Sequence, residues 1–536
     1  MAGLLDRLTL RLGALPGRQV TWFLVALFSV WVLLDVMVFQ YSGGMARSSF
    51  DAMVRARVVT AAPDPRIVIV DIDEPSLVRM GKEFGRWPWP RDTLATVLDH
   101  LEKQQPAAIV WDLIFSDADR LSPGGDAAFN AAVARSTHSH FSVVRLPSAN
   151  DAVSQLTRKE LPGLWSSPAT AALTTPTVAL IAPVLPAVAA AHLGYNNGYP
   201  DSDGVLRRYR QHETLADGSQ IQSIAASVAA RLNPTYQSKP APPSKSGDSD
   251  ALMVWRKVPN AYPRIAFADV FAQADGDKPL GAVPNFAGKV VLIGATAPSL
   301  HDIHPTPLAP LQPGVESLAT AIDNAINQRV LHELPRWLQA ALAIGLCVGI
   351  AIFAQIKSMA ALAPALFVLP MALIGLSYIS LNGAPVFMDM HLSAGLALVF
   401  LAVLRFWDGC RQQHWRAPPS MRKDQPMALW SIKSREPWIG ARLDRLLDTL
   451  EQHAPSVRLI FPDIGVTWPG KMRWPEHACQ VSLVGPQTAL LAAKAVIETK
   501  LREFLERSGE LMVLPADADR ARLAQASLAA WGALQM

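Results

Sequence analysis

Four long apolar runs constrain this chain more than any other feature of its sequence. They cover residues 20–39, 337–356, 359–381 and 385–404. Each run is close to the ~20 residues that a helix needs to cross a bilayer. The first could be a cleaved signal peptide, but it is long for one and no A-x-A site follows it. With a mean hydropathy of +0.19, the sequence predicts a membrane protein with four transmembrane helices.

The distribution of basic residues predicts how these helices are oriented. Three arginines precede the first run, Lys357 lies between the second and third, and several arginines follow the fourth. The turn from Asn382 to His391 contains no lysine or arginine. Because basic loops remain in the cytoplasm, residues 1–19 and 405–536 are predicted to be cytoplasmic. Residues 40–335 are then predicted to lie outside, on the other side of the membrane, in a multi-pass protein.

Charge and cysteine content exclude several classes of function. The net charge is only +4 in 536 residues, which gives no reason to expect nucleic-acid binding. Cys347, Cys410 and Cys479 are far apart and form no CxxC pair. The sequence therefore predicts neither a disulfide framework nor a zinc site, and no cofactor is expected. Asp35, inside the first run, is expected to form a helix–helix hydrogen bond or to reach the membrane surface.

The predicted outer region, residues 40–335, alternates short apolar strands with amphipathic helices. Strands are predicted at Arg66–Asp73, Ala107–Phe115, His140–Leu146 and Gly288–Thr296. Helical spacing follows the first strands and returns after the last. This alternation predicts an α/β domain with a mainly parallel sheet that is covered on both faces.

The stretch "GRWPWPRDTL" precedes one of the predicted helices. Two prolines fix an extended or turned backbone there, and the helix is expected to begin near Arg91. Trp87 and Trp89 can pack this elbow against the sheet. Alternatively, the two rings and Arg91 can form an exposed site that stacks on a sugar or another ring ligand.

Acidic residues follow three of the predicted strands. Asp71 and Asp73 end the first strand, Asp112 follows the second, and Asp302 follows the last. Because the carboxyl ends of parallel strands meet at one edge, these four side chains are expected to lie together. They can bind a ligand or a cation of unknown identity, or accept structural hydrogen bonds. Arg91 and Arg207 are the cations expected to offset their repulsion, and no catalytic residue is predicted.

Several motifs resemble the type-2 CHASE domain when they are taken in order. They are "IVIVDIDEPSL", "GRWPWPRDTLATVLDHL", "AAIVWDLIFSDAD", "DSDGVLRRYR", "GKVVLIGATAPSLHDIHPTPL" and "PGVESLATAIDNAI". The resemblance spans about residues 45–335. It implies that residues 40–335 are a periplasmic sensor domain in a multi-pass protein of the bacterial inner membrane. The ligand of this family is, in general, undefined. Many members of this family have one span before the sensor and three after it, as predicted here.

The predicted cytoplasmic tail, residues 405–536, departs from that resemblance. It contains no GGDEF, EAL, HRD or DFG motif and no histidine-kinase nucleotide loop. The stretch "LIFPDIGVTW" resembles the start of a class III nucleotide cyclase, but a second metal-binding aspartate is missing. The tail is therefore predicted to be a small α/β adaptor without enzymatic activity.

These features favour a receptor that detects a periplasmic signal and relays it to a cytoplasmic protein partner through the tail. The alternatives are a structural or docking subunit of an envelope or secretion complex, and a periplasmic hydrolase. A stable stoichiometric partner would favour the docking subunit. The sequence leaves homo-oligomerisation open.

Overall fold

The computed structural model divides the chain into two compact units. One comprises residues 1–42, 335–376 and 390–536, and the other comprises residues 43–334 and 377–389. The structure describes residues 9, 12, 17–120, 122–166, 177–233, 236, 251–356, 362–384, 386–415, 427–433, 449, 458–460, 478–484, 487–508 and 512–518.

The helices of the described residues follow the predicted apolar and amphipathic segments. In chain order they are α1 Gly17–Leu34, α2 Tyr41–Arg55, α3 Glu74–Phe84, α4 Arg91–Lys103, α5 Pro123–Arg135, α6 Pro186–Ala190, α7 Ile224–Leu232, α8 Phe267–Asp275, α9 Gly314–Ile326, α10 Arg336–Ile356, α11 Ala365–Gly383, α12 His391–Trp415 and α13 Gln487–Ser508. A π-helical turn, Asp35–Phe39, continues α1.

The strands comprise longer segments of the main sheet and several short pairs. They are β1 Ile67–Ile72, β2 Ala108–Trp111, β3 Ser139–Arg145, β4 Leu180–Ile181, β5 His192–Tyr195, β6 Arg208–Tyr209, β7 His212–Thr214, β8 Gln220–Gln222, β9 Ala251–Leu252, β10 Arg264–Ala266, β11 Val290–Ala295, β12 Ile303–His304, β13 Gln312–Pro313, β14 His332–Glu333, β15 Val386–Phe387, β16 Met427–Lys433, β17 Arg458–Ile460, β18 Ala478–Val484 and β19 Met512–Ala518.

The main sheet is predominantly parallel, which confirms the prediction from the alternating pattern. Strands β10, β1, β11, β2, β3 and β5 are parallel neighbours in that order, and β4 pairs antiparallel with β3. The late strand β11 lies between the early strands β1 and β2. The carboxyl ends of β1, β11 and β2 therefore meet at one edge of the sheet.

Helices cover both faces of this sheet, so the central strands β1, β11 and β2 are buried throughout. Helices α4, α5 and α8 pack on one face, where Val70, Leu98 and Phe129 belong to the same hydrophobic core. Helices α7 and α9 pack together on the other face. A Cβ added at Gly294 of β11 would come within 2.7 Å of Val315 in α9. Glycine is therefore required for α9 to pack this closely.

Among the described residues, four helices are long and apolar enough to cross a membrane. They are α1 with its π turn, α10, α11 and α12. The third and fourth begin at Ala365 and His391, six residues later than the apolar runs predict. For the fourth, Val386–Phe387 instead pairs as β15 with β14. Asp35 begins the π turn at the end of the first span and accepts a hydrogen bond from the Tyr41 amide at 2.9 Å. Its buried carboxylate therefore caps α2.

The described part of the tail forms an antiparallel sheet. Its strand order is β17-β18-β16-β19, and α13 lies between β18 and β19 in the chain. These elements coincide with apolar stretches that predict strands and a helix. Residues 461–477, which include most of the cyclase-like stretch, lie outside the described residues.

Candidate functional site

One group of polar side chains at the carboxyl edge is centred on Asp71. This residue is the neighbour of Gly294 across the β1–β11 pair, and the Thr296 hydroxyl donates a hydrogen bond to its carboxylate at 2.7 Å. Arg264 lies 3.7 Å from Asp71 and 2.7 Å from Glu316. Burial raises the pKa of Asp71 and of Glu316, while Thr296 and Arg264 oppose the shift at Asp71 and Arg264 opposes it at Glu316. The two carboxylates thus share one cation.

A second acidic group lies on the other side of β11. Asp112 Oδ1 accepts a hydrogen bond from Asn196 Nδ2 at 2.7 Å, and Oδ2 is buried and accepts none from the described residues. Burial, with repulsion from Asp302, raises the pKa of Asp112 to about 7. Burial also raises the pKa of Asp302, and the nearby His304 opposes this upward shift. His304 Nε2 lies 2.9 Å from Ser317 Oγ.

Asp73 has a different role at this edge. Its carboxylate accepts a hydrogen bond from the Ser76 amide at 2.8 Å and so caps the amino terminus of α3. Among the described residues, no group of three or more His, Cys, Asp or Glu is arranged to hold a metal ion. The hypothesis of a bound cation therefore gains no support from this part of the chain.

A cavity of about 470 Å³ lies beside the tryptophan elbow. The amino terminus of α4 and the loop after β2 form its walls, which places the cavity at the carboxyl side of the sheet. Its lining is Trp87, Pro88, Trp89, Arg91, Leu94, Leu113, Ile114, Phe115, Asp117, Ala118, Asp119 and Arg120. This volume is within the range of small-molecule sites, and α/β sheets commonly bind ligands at this side.

The two tryptophans of the elbow have different environments. Trp89 is only 2% exposed and stacks on Phe267 with ring centroids 5.2 Å apart. Trp87 meets Trp89 edge to face at 4.9 Å and is partly exposed. Trp89 therefore packs the elbow against the core, whereas Trp87 is available at the cavity wall. Trp89 fits the interpretation that the elbow packs against the sheet, and only Trp87 is open enough for the ligand-site interpretation.

Arg91 organises the loop that forms the cavity rim. Its guanidinium forms an ion pair with Asp126 and donates to the Asp117 carbonyl. Its amide donates to Asp119 Oδ2 at 2.9 Å. A Cβ added at Gly125 would come within 2.7 Å of that same oxygen, so the loop closes around Arg91 only with glycine there. Arg91 is thus held by the protein itself.

A family model for the CHASE2 domain matches residues 22–353, which is more than half of the chain. The chain belongs to the CHASE2 domain family. No curated protein and no solved structure matches the chain. The CHASE2 family is a family of sensor domains, and the matched range begins within the first candidate span and ends within the second. It therefore includes both the carboxyl edge and the tryptophan cavity.

Arg207 of the CHASE2 domain pairs with carboxylates other than those it was expected to offset. It is 2% exposed and binds Asp51 of α2 through two hydrogen bonds of 2.8 and 2.7 Å. It also pairs with Asp201 and Asp203 of the turn before it, at 2.8 Å each. The prediction that Arg91 and Arg207 neutralise the edge acids is wrong, because both are committed to other carboxylates.

Sequence reasoning also missed several residues at the CHASE2 edge and cavity. Arg264 and Glu316 complete the Asp71 group, and Asn196 binds Asp112. Arg120 lines the cavity three residues after Asp117. The sequence could have indicated Arg120, because it lies in the loop after β2, the strand that Asp112 follows. No local pattern marks Arg264, which approaches Asp71 only because β10 pairs with β1.

Proposed function

We propose that this chain is a bacterial inner-membrane receptor. Residues 40–335 form a periplasmic CHASE2 sensor that detects a small molecule, and the membrane helices relay the signal to a cytoplasmic protein that binds the tail. The family match and the four candidate spans support this proposal. The basic residues that flank the first and fourth apolar runs support the proposed orientation.

The tryptophan cavity is the observation that carries the sensing role. Its floor is apolar, its rim is charged, and a tightly hydrogen-bonded loop holds the two together. Such concave sites with a few polar groups bind small ligands. The carboxyl-edge acids are more buried and largely satisfied by Thr296, Asn196 and Arg264. They are therefore better suited to a structural or proton-binding role.

A relay from this domain needs mechanical connections to the segments beside the membrane helices. Arg207 binds Asp51 in α2, which follows the first span, and Arg208 forms an ion pair with Glu333, just before α10. Phe50 of α2 also contacts Phe387 of β15 at 5.1 Å. The segments that follow the first span, precede the second and join the third to the fourth are thus linked within one unit. These contacts support a coupled movement.

The tail is proposed to act by binding rather than by catalysis. The tail lacks the output-enzyme motifs that the resemblance would imply. We also propose no nucleic-acid partner, since the net charge of the chain is only +4. Membranes that contain the full chain are expected to form no cyclic nucleotide from ATP or GTP with Mn²⁺. Formation of a cyclic product that Asp463→Ala abolishes would contradict the adaptor role.

Native mass spectrometry of the full chain from mild detergent tests the receptor proposal. The wild-type protein is expected to carry a bound small molecule. Trp87→Ala should lose this molecule, whereas the control Val153→Ala, at an 81% exposed position, should retain it. A stoichiometric protein partner without any small molecule would instead support the docking subunit.

A further inference from the structure

The floor of the tryptophan cavity is apolar and partly open. Trp87 is partly exposed, and Ile114 is 44% exposed although it is a large aliphatic side chain. Leu94 and Phe115 lie beneath them and are almost fully buried. Covering this surface with a ligand would remove apolar area from water, which favours binding. The floor therefore selects a ligand with a sizeable apolar body.

Two of the four charged residues that line the cavity are already bound by other groups of the protein. Arg91 forms an ion pair with Asp126 and lies over the Phe115 ring at 5.4 Å. Asp119 accepts hydrogen bonds from the Arg91 amide and from the Ser122 amide. These groups shape the loop, so they offer little further capacity to a ligand. The recognition chemistry is left to the remaining pair.

That remaining pair is Asp117 and Arg120. Both side chains are exposed at the cavity, and neither forms an ion pair with any residue in the described ranges. Asp117 accepts one hydrogen bond, from the neighbouring Ser116 hydroxyl. The rim therefore presents one carboxylate and one guanidinium above an apolar floor. An Arg guanidinium binds carboxylates in a planar two-point geometry, and an Asp carboxylate accepts from an ammonium group.

This charge pattern distinguishes between ligand classes. A simple organic anion would engage Arg120 but lie beside Asp117, and a simple amine would have the opposite problem. A neutral saccharide would leave both charges without a charged partner while covering a mainly apolar floor. A zwitterion with an apolar side chain matches both charges and the floor at the same time.

We propose that the cavity binds a free α-amino acid with a large aliphatic or aromatic side chain. The α-carboxylate lies against Arg120, the α-ammonium against Asp117, and the side chain on Trp87 and Ile114. This inference rests on the proposed receptor function and names the ligand class of its site. It assigns Arg120 and Asp117 as the residues that select a zwitterion.

Isothermal titration of the full chain in detergent, freed of bound ligand by dialysis, tests the ligand class. The probes are L-phenylalanine, L-leucine, 3-phenylpropionate, 2-phenylethylamine and glucose. We expect the amino acids to bind at least about tenfold more tightly than the two singly charged analogues, since each analogue loses one charge-assisted contact. Glucose is expected not to compete with L-phenylalanine.

Paired variants identify the contacts. Arg120→Gln should weaken L-phenylalanine about tenfold but should not weaken 2-phenylethylamine, because it removes a like charge beside the ammonium group. Asp117→Asn should weaken L-phenylalanine but should not weaken 3-phenylpropionate, for the same reason. Asp99→Asn, an exposed site elsewhere in the domain, should change neither affinity.

Binding of glucose or of an analogue that Trp87→Ala abolishes, without amino-acid binding, would overturn the ligand class and leave the receptor proposal standing. If none of the five probes binds, the amino-acid proposal is refuted. The native mass-spectrometry experiment then decides separately whether the cavity holds a ligand of another class.

Discussion

Replacing Asp112 by asparagine is the sharpest test of the acidic edge. The Asp112 carboxyl is buried beside Asp302, and its pKa is raised from 3.8 to about 7. In the folded protein this carboxyl holds its proton at pH values where the unfolded chain has already lost it. The stability that this proton contributes is fully present below pH ~4 and is lost as the pH rises through ~7. Asp112 therefore destabilises the domain under alkaline conditions.

The size of the effect follows from the pH interval. Between pH 5 and pH 7 the unfolded carboxyl is ionised while the folded carboxyl remains largely protonated. Each pH unit in that interval costs about 1.4 kcal/mol, so the total from pH 5 to pH 8 is about 3 kcal/mol. Asparagine does not titrate, keeps an oxygen for Asn196 and places an amide donor towards Asp302. The stability difference is the free energy of unfolding of Asp112→Asn minus that of the wild type. This difference should be ~3 kcal/mol larger at pH 8 than at pH 5.

Urea unfolding of the full chain in detergent, followed by near-ultraviolet circular dichroism, measures this difference. Asp99→Asn is the matched control, because Asp99 is 43% exposed in its ion pair with Arg135. The control should change stability by less than about 1 kcal/mol at either pH. If Asp112→Asn lowers stability equally at pH 5 and pH 8, Asp112 is ionised throughout and its assigned environment is wrong.

Three further predictions concern other parts of the molecule. Arg207→Leu leaves three carboxylates without their buried cation and should lower the free energy of unfolding by about 3–5 kcal/mol in the same urea assay; an unchanged midpoint would contradict this role. Trp89→Ala should cost about 3–5 kcal/mol, and Trp87→Ala less than half as much, because only Trp89 is fully packed; equal losses would refute the division between the two rings. Alkaline phosphatase should be active when fused after Ser148 and inactive at the C-terminus, and the reverse pattern would contradict the orientation.

The sequence predicts the position of the edge acids because topology constrains it strongly. In a parallel sheet the carboxyl ends of the strands lie on one side, so acids that end separate strands meet there. Asp71 and Asp112 indeed lie on either side of Gly294. The cation that pairs with Asp71 could not be predicted in this way. Arg264 starts a strand of only three residues, and nothing local indicates that this strand pairs with β1.

The tryptophan elbow shows a second limit of sequence reasoning. Residues two apart in an extended segment point to the same side, so the pattern predicts a shared environment for Trp87 and Trp89. Their rings do contact each other. However, Trp89 lies directly before α4, where Phe267 of α8 covers it. That contact spans almost 180 residues of the chain and is set by helix packing rather than by periodicity.

The Arg207–Arg208 pair limits how the proposed relay can operate. Arg207 binds Asp51 after the first span, and Arg208 binds Glu333 before the second. Both arginines also pair with Asp201. Breaking a buried ion pair costs about 3–5 kcal/mol. A ligand that drives a switch from 1:99 to 99:1 must already supply about 5.5 kcal/mol of differential affinity. A switch that also ruptured the buried Arg207–Asp51 pair would need about 8.5–10.5 kcal/mol, up to nearly twice that amount. A receptor of this design is therefore expected to move Asp51 together with Arg207 and to keep this pair intact in its two states.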